Sequence, residues 1–117
     1  MSNKQIHYAE ENRNHSLLKN LISFDNQDFT KTTFSDNSFD IVWACESSYY
    51  ANPKELFIQE VNRLLKPGGK LILSDYFLTE AGLTDQDDHL KNWAKTWAID
   101  QLNTTVNILD VLDDNQF

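Results

Sequence analysis

Phe39-Asp40-Ile41-Val42-Trp43-Ala44-Cys45 and Lys70-Leu71-Ile72-Leu73-Ser74-Asp75 decide the fold. Each is a short run of β-branched, aromatic and aliphatic residues bounded by turn formers. Such runs suit strands covered on both faces, as in a parallel sheet. Asn52-Pro53-Lys54-Glu55 between them opens a helix: Asn52 caps it, Pro53 takes the first position and Glu55 answers the cap. Leu56, Phe57, Val61, Leu64 and Leu65 then recur at helical spacing, while Arg63 and Lys66 suit the negative end of the dipole. Pro67-Gly68-Gly69 stops the helix. Residues 39–75 therefore form one βαβ unit, with parallel strands and a right-handed crossover.

Outward from this unit the signals weaken. Phe34-Ser35-Asp36-Asn37-Ser38 is a turn-rich lead-in. Residues 3–14 read as a helix whose narrow apolar face carries Ile6, Tyr8 and Ala9. Leu21–Phe24 is expected to be a short buried strand that stops at Asp25-Asn26. Thr84 caps a further helix, with Asp85 and Asp87 in its first turn and Leu90, Trp93, Ala94, Trp97, Ala98 and Gln101 along one face. Thr104 and Thr105 open a last short helix carrying Val106, Leu109 and Leu112.

The 117 residues suffice for one domain. Ten Lys and Arg against 18 Asp and Glu leave a net charge of −8, with no basic cluster to hold a phosphate backbone, so a nucleic-acid partner is not expected. No apolar run approaches the ~20 residues of a membrane span, and the start lacks a signal-peptide core. The one cysteine, Cys45, excludes an intramolecular disulfide and a multi-cysteine zinc site. Cys45 itself reads as a small buried hydrophobe. His7, His15 and His89 are scattered, and Asp85, Asp87 and Asp88 lack the glycine and glutamate of a calcium loop, so no metal is expected. These features describe a cytoplasmic α/β domain without a membrane partner.

Two ordered blocks carry a resemblance. Phe34-Ser35-Asp36-Asn37-Ser38-Phe39-Asp40-Ile41-Val42-Trp43 is followed by Glu60-Val61-Asn62-Arg63-Leu64-Leu65-Lys66-Pro67-Gly68-Gly69 and the strand ending at Asp75. Together they resemble the second half of a class I S-adenosylmethionine-dependent methyltransferase, of the tocopherol, sterol and small-amine type. Residues 2–12 resemble the helix after that family's second strand, Phe24–Phe29 its third strand, and residues 76–104 its substrate-side insertion. The resemblance implies a Rossmann-like sheet, here incomplete. Glycines stand only at 68, 69 and 82, so the family's glycine loop is not contained in the chain; nor are its first two strands, the acidic residue for the ribose, or its last strands. Residues 1–117 are accordingly expected to form a single partial methyltransferase domain.

Ligands of open parallel sheets lie beyond the C-terminal strand ends. The resemblance places S-adenosylmethionine as cofactor there, against Asp28, Phe29, Ala44, Cys45 and Glu46. Asp28 accepts from the adenine amino group, or merely holds a turn. Glu46 and Tyr50 are the catalytic candidates, near a sulfonium and an acceptor, or else part of a polar strand-end loop. Tyr49, Asp75, Trp93 and Trp97 are candidates for the substrate, although Asp75 equally suits a turn cap and the tryptophan pair equally suits a core. Asp40 and Glu60 read as structural. The implied function is methyl transfer to a small-molecule acceptor, with the chain inactive by itself. The alternative is a non-catalytic subunit that associates, with itself or another chain, through an exposed strand edge.

Overall fold

The computed structural model describes residues 2–79, 81–84, 88–100, 102–115 and 117. Its elements are α1 (Asn3–Asn14), β1 (Phe39–Cys45), α2 (Lys54–Leu64), β2 (Leu65–Ser74), α3 (His89–Thr96) and α4 (Thr105–Asp114). Short 3₁₀ turns cover Ser48–Tyr50 and Ala81–Thr84. Among the described residues no helix is long and apolar enough to cross a membrane.

The βαβ unit is present. β1 and β2 pair in parallel, with Val42 opposite Leu71, Trp43 opposite Ile72 and Ala44 opposite Leu73. Phe39 faces Leu65 and Ile41 faces Lys70, so residues 66–69 bulge out of the ladder. Gly68 has φ +79° there, and a Cβ on Gly69 would sit 2.9 Å from the Lys66 carbonyl oxygen. The two glycines thus shape the bulge, rather than stopping α2, which ends at Leu64.

The start of α2 also differs from expectation. Pro53 holds the N-cap position itself, with no side-chain cap, so Asn52 lies one residue too far out. The helix is held by packing instead. Phe57, Ile58 and Val61 are buried against Ala44, Ala51 and Leu65, with Val42, Leu71 and Leu73 beside them. Burial of several such side chains, at about 1.5–3 kcal/mol each, outweighs one missing cap.

Strand residues alternate faces. Val42, Ala44, Leu71 and Leu73 meet α2, whereas Ile41, Trp43 and Ile72 stay 56%, 69% and 47% exposed. The expectation of cover on both faces therefore fails among the described residues. Cys45, on the same open face, is exposed rather than buried.

The predicted strand at Leu21–Phe24 does not form. The segment is irregular, and Leu21 is 83% exposed. A lone strand leaves its backbone groups unpaired, and the only sheet among the described residues has two strands, β1 and β2. α1 forms where the pattern placed it, closed by a capping box between Ser2 and Gln5, yet it buries none of its residues. It is tied to the following segment by Arg13 Nη1 to the Ile22 carbonyl (3.5 Å) and by Asn26 Nδ2 to Asn3 Oδ1 (3.3 Å).

On the C-terminal side, α3 begins after Asp88, which has φ +54°, so Thr84 lies in a 3₁₀ turn and does not cap it. Asp85, Asp87 and Gln101 lie outside the described residues. α4 is capped by Thr104 with Asn107, but Ile108, Val111 and Leu112 face the core while Val106 and Leu109 remain exposed.

Candidate active site

Three strand-end segments were expected to meet at one edge of the sheet. β1 ends at Cys45 and Glu46 turns the chain, with φ +48° and its N–H donating to the Ser74 carbonyl at 2.8 Å. That turn aims the next two amides at the end of β2. Ser47 N donates to Asp75 Oδ1 (2.8 Å) and Ser48 N to Oδ2 (3.0 Å), with the Ser48 hydroxyl on the same Oδ2. Asp75 thus clamps the β1 exit to the β2 exit. Lys54 Nζ donates to the Ser48 carbonyl at 2.6 Å, and burial lowers its pKa. Its role carried no sequence signal, because it depends on where the 48–50 turn lies.

The clamp sets the aromatic residues that follow. The Tyr49 and Tyr50 rings lie 4.6 Å apart and tilted, Tyr49 and Tyr76 lie 6.1 Å apart, Tyr76 meets Trp93 edge-on at 5.3 Å, and Trp93 and Trp97 are 6.5 Å apart. Three separate sequence segments therefore converge on one aromatic surface. Tyr49 is buried, and desolvation, with the neighbouring Tyr50, pushes its phenol up to about 12. The Tyr49 hydroxyl stays protonated near neutrality. The Tyr50 hydroxyl donates to the Trp97 carbonyl at 3.0 Å, which ties the end of α3 to the 48–50 turn. Beside this contact a cavity of about 440 Å³ is lined by Tyr49, Tyr50, Lys54, Asp100, Asn103 and Asp110, among others. Glu46 is exposed directly after β1, and Ala44 is buried. Of the sequence-named residues, the structure brings together Tyr49, Tyr50, Trp93 and Trp97, with Asp75 beneath. Tyr76 joins them; its place directly after Asp75 was its only signal.

Phe29 lines an apolar groove together with Ala44 and Ser47 at the β1 exit, and Asp28 precedes it in a turn. Asp28 Oδ1 accepts from Thr30 N (2.9 Å) and Thr30 Oγ1 (2.7 Å), and these hydrogen bonds hold its carboxyl below the usual range. The carboxylate thus closes its own turn. The Phe29 ring packs edge-on against Phe57 at 5.7 Å. Thr32 N and Oγ1 donate to Glu60 Oε1 at 2.8 and 2.7 Å, while Arg63 bonds Glu60, Asp36 and the Phe34 carbonyl. This network fastens the 28–36 segment to α2, which agrees with a structural role for Glu60. Asp40, also read as structural, receives Lys66 Nζ at 2.9 Å.

A complete donor site for S-adenosylmethionine is not assembled by the described residues. Asp28 is engaged by Thr30, and no glycine stands at a strand end facing this edge, since Gly68 and Gly69 belong to the bulge that opens β2. No group of three or more His, Cys, Asp or Glu able to hold a metal occurs among the described residues.

Comparison with known proteins bears directly on this arrangement. The family model of a methyltransferase domain matches residues 1–115. The chain is 35% identical over 85 residues to a sterol 24-C-methyltransferase of Aspergillus fumigatus, covering 73% of this chain and 22% of that protein. It is 30% identical over 97 residues to the 27-O-demethylrifamycin SV methyltransferase of Amycolatopsis mediterranei, covering 81% and 36%. The YcgJ protein of Bacillus subtilis superposes on 98% of this chain and has 49% of its own length covered, with a TM-score of 0.81 at 19% identity. The [4+2]-cyclase SpnF superposes with a TM-score of 0.78 at 26% identity, over 97% of this chain and 39% of its own. The chain spans about a fifth to a third of the length of the curated relatives described here, and it belongs to the methyltransferase domain family.

Proposed function

We propose that this chain supplies the acceptor side, and the methionine-end wall of the donor site, of a methyltransferase that moves a methyl group from S-adenosylmethionine to a small molecule. The observation that carries this reading is the convergence of Tyr49, Tyr50, Tyr76, Trp93 and Trp97 at the C-terminal strand ends. Methyl transfer is an in-line displacement, so protein groups act chiefly by orienting the partners and excluding water. The aromatic surface orients an apolar or cationic acceptor. Tyr50 is a positioning residue, because its hydroxyl holds residue 97 in place. Glu46, exposed directly after β1, orients an acceptor hydroxyl or amine. Asp75 keeps the two strand exits together. In the relatives, sterol and rifamycin names point to small organic acceptors, which agrees with this surface.

Screening a small-molecule library by NMR tests the acceptor side: shifts are expected to cluster on Tyr49, Tyr50, Tyr76, Trp93 and Trp97, and hits confined to other surfaces overturn it. Calorimetric titration with S-adenosylmethionine tests the incomplete donor site. The 117 residues alone are expected to give no heat at micromolar concentrations, and tight binding contradicts that part.

The open edge of β1 favours a second reading, a non-catalytic subunit that works by association, and the cyclase SpnF shows that this fold hosts more than one chemistry. Methyl transfer by an assembled domain containing this chain excludes it.

A further inference from the structure

Ser48 is 3% exposed, and its polar groups are divided between two oppositely charged side chains. Its N–H and hydroxyl donate to Asp75 Oδ2. Its carbonyl accepts twice, from Ala51 N at 3.0 Å within the 3₁₀ turn and from Lys54 Nζ at 2.6 Å. Position 54 is a poor place for a cation. It is the first residue of α2, beside the positive end of the helix dipole. Burial also disfavours the ammonium, against the attraction of Asp75. A charge-assisted bond to the Ser48 carbonyl offsets these costs. α2 does not need that bond, because Phe57, Ile58 and Val61 hold the helix in the core. The lysine therefore serves the turn.

The turn carries the constraint outward. Tyr49 and Tyr50 are its next two residues, and the Tyr50 hydroxyl donates to the Trp97 carbonyl at 3.0 Å. Trp97 ends α3, and the carbonyls of a last helical turn lack intrahelical donors, so the hydroxyl supplies one. Lys54 and Asp75 divide the work at this exit. Asp75 holds the 47–48 amides to the end of β2, whereas Lys54 holds the Ser48 carbonyl to α2.

We propose that Lys54 is a positioning residue for the acceptor: through the Ser48 carbonyl it fixes the 48–50 turn, and through Tyr50 the end of α3, and so it sets the separation of the tyrosine and tryptophan faces that receive the small molecule. The proposal rests on the acceptor reading of the aromatic surface. Lys54 acts through Ser48, and its loss frees the turn while the strands stay joined.

The test compares the native chain with Lys54→Met, which removes the ammonium, with Lys54→Arg, which restores a cationic donor, and with Tyr50→Phe, which cuts the other end of the relay. Indole is the neutral aromatic probe, followed by NMR. In Lys54→Met the urea midpoint should hold. The ring resonances of Tyr49, Tyr50 and Trp97 should shift, while those of the Phe29–Phe57 pair stay in place. Indole affinity at the aromatic surface should fall about tenfold, the worth of one hydrogen bond to a charged group. Lys54→Arg should recover most of it, and Tyr50→Phe combined with Lys54→Met should lose little more than either alone. Should Lys54→Met not fold, Lys54→Gln takes its place. Unshifted Tyr50 and Trp97 resonances, native affinity, additive losses, or an urea midpoint that falls together with the affinity without rescue by Lys54→Arg overturn the proposal and leave the acceptor surface standing. Indole that binds the native chain only elsewhere, or not at all, overturns the acceptor reading and this proposal with it.

Discussion

α1 and α2 are of nearly equal length and opposite character. α1 has a complete capping box at Ser2 and Gln5, and buries nothing. α2 lacks a side-chain cap, and buries Phe57, Ile58, Glu60, Val61 and Leu64. Local hydrogen bonding decides where a helix starts, whereas burial decides whether it belongs to the fold. The contrast extends to what each helix holds: α2 anchors both strands and the 28–36 segment, while α1 is bonded to residues 22 and 26 through Arg13 and Asn3.

The sharpest way to break this comparison is to empty the core under α2. Ile58 is 1% exposed, so Ile58→Ala should cost about 3–4 kcal/mol in a urea melt. Ile6→Ala in α1 should leave the same melt unchanged within about 0.5 kcal/mol.

Arg63→Ala should cost about 3 kcal/mol, because it strands the buried Glu60 carboxylate, and circular dichroism with thermal melting reads the loss. Glu60→Gln with Arg63→Ala should recover part of it, which separates the charge from the packing.

Acid sharpens the comparison without mutation. The Arg63 and Thr32 hydrogen bonds hold Glu60 down to about 2, against an ordinary 4.5. A depressed carboxyl stabilises the fold fully above its unfolded value, and the contribution disappears as pH falls from about 4.5 toward 2. It is worth up to about 3 kcal/mol. Thermal midpoints measured across this range should drop for the native chain and drop less for Glu60→Gln.

The smallest effect belongs to α1. Ser2→Ala removes the cap and should lower α1 helicity through a local loss of about 1 kcal/mol, with no change in the global midpoint. A falling midpoint would show that α1 is coupled to the core after all.

The boundaries of β1 and α1, and the parallel pairing of β1 with β2, were legible because each depends on local pattern and a short crossover. The strand expected at Leu21–Phe24 was not, because strand formation requires a neighbour, and neither strand among the described residues pairs with it. Asp28 shows a related limit at the site: one carboxylate oxygen, Oδ1, accepts from Thr30 two residues on, a local turn that the residue type alone did not decide. The aromatic surface was partly legible, as Tyr49, Tyr50, Trp93 and Trp97 are conspicuous, but nothing in their order shows that Tyr76 lies between Tyr49 and Trp93.

Family membership, the βαβ unit, the α1 helix and the start of α4 at Thr104 follow from the amino-acid order alone, since each arises from residues close together in the chain or from a spaced motif. The Asp75 clamp, the Glu60–Arg63 anchor, the aromatic surface and the apolar groove at the β1 exit exist only in three dimensions. They join groups roughly 20–50 positions apart, and only the packing of α2 on β1 and β2 brings such groups within hydrogen-bonding or van der Waals distance.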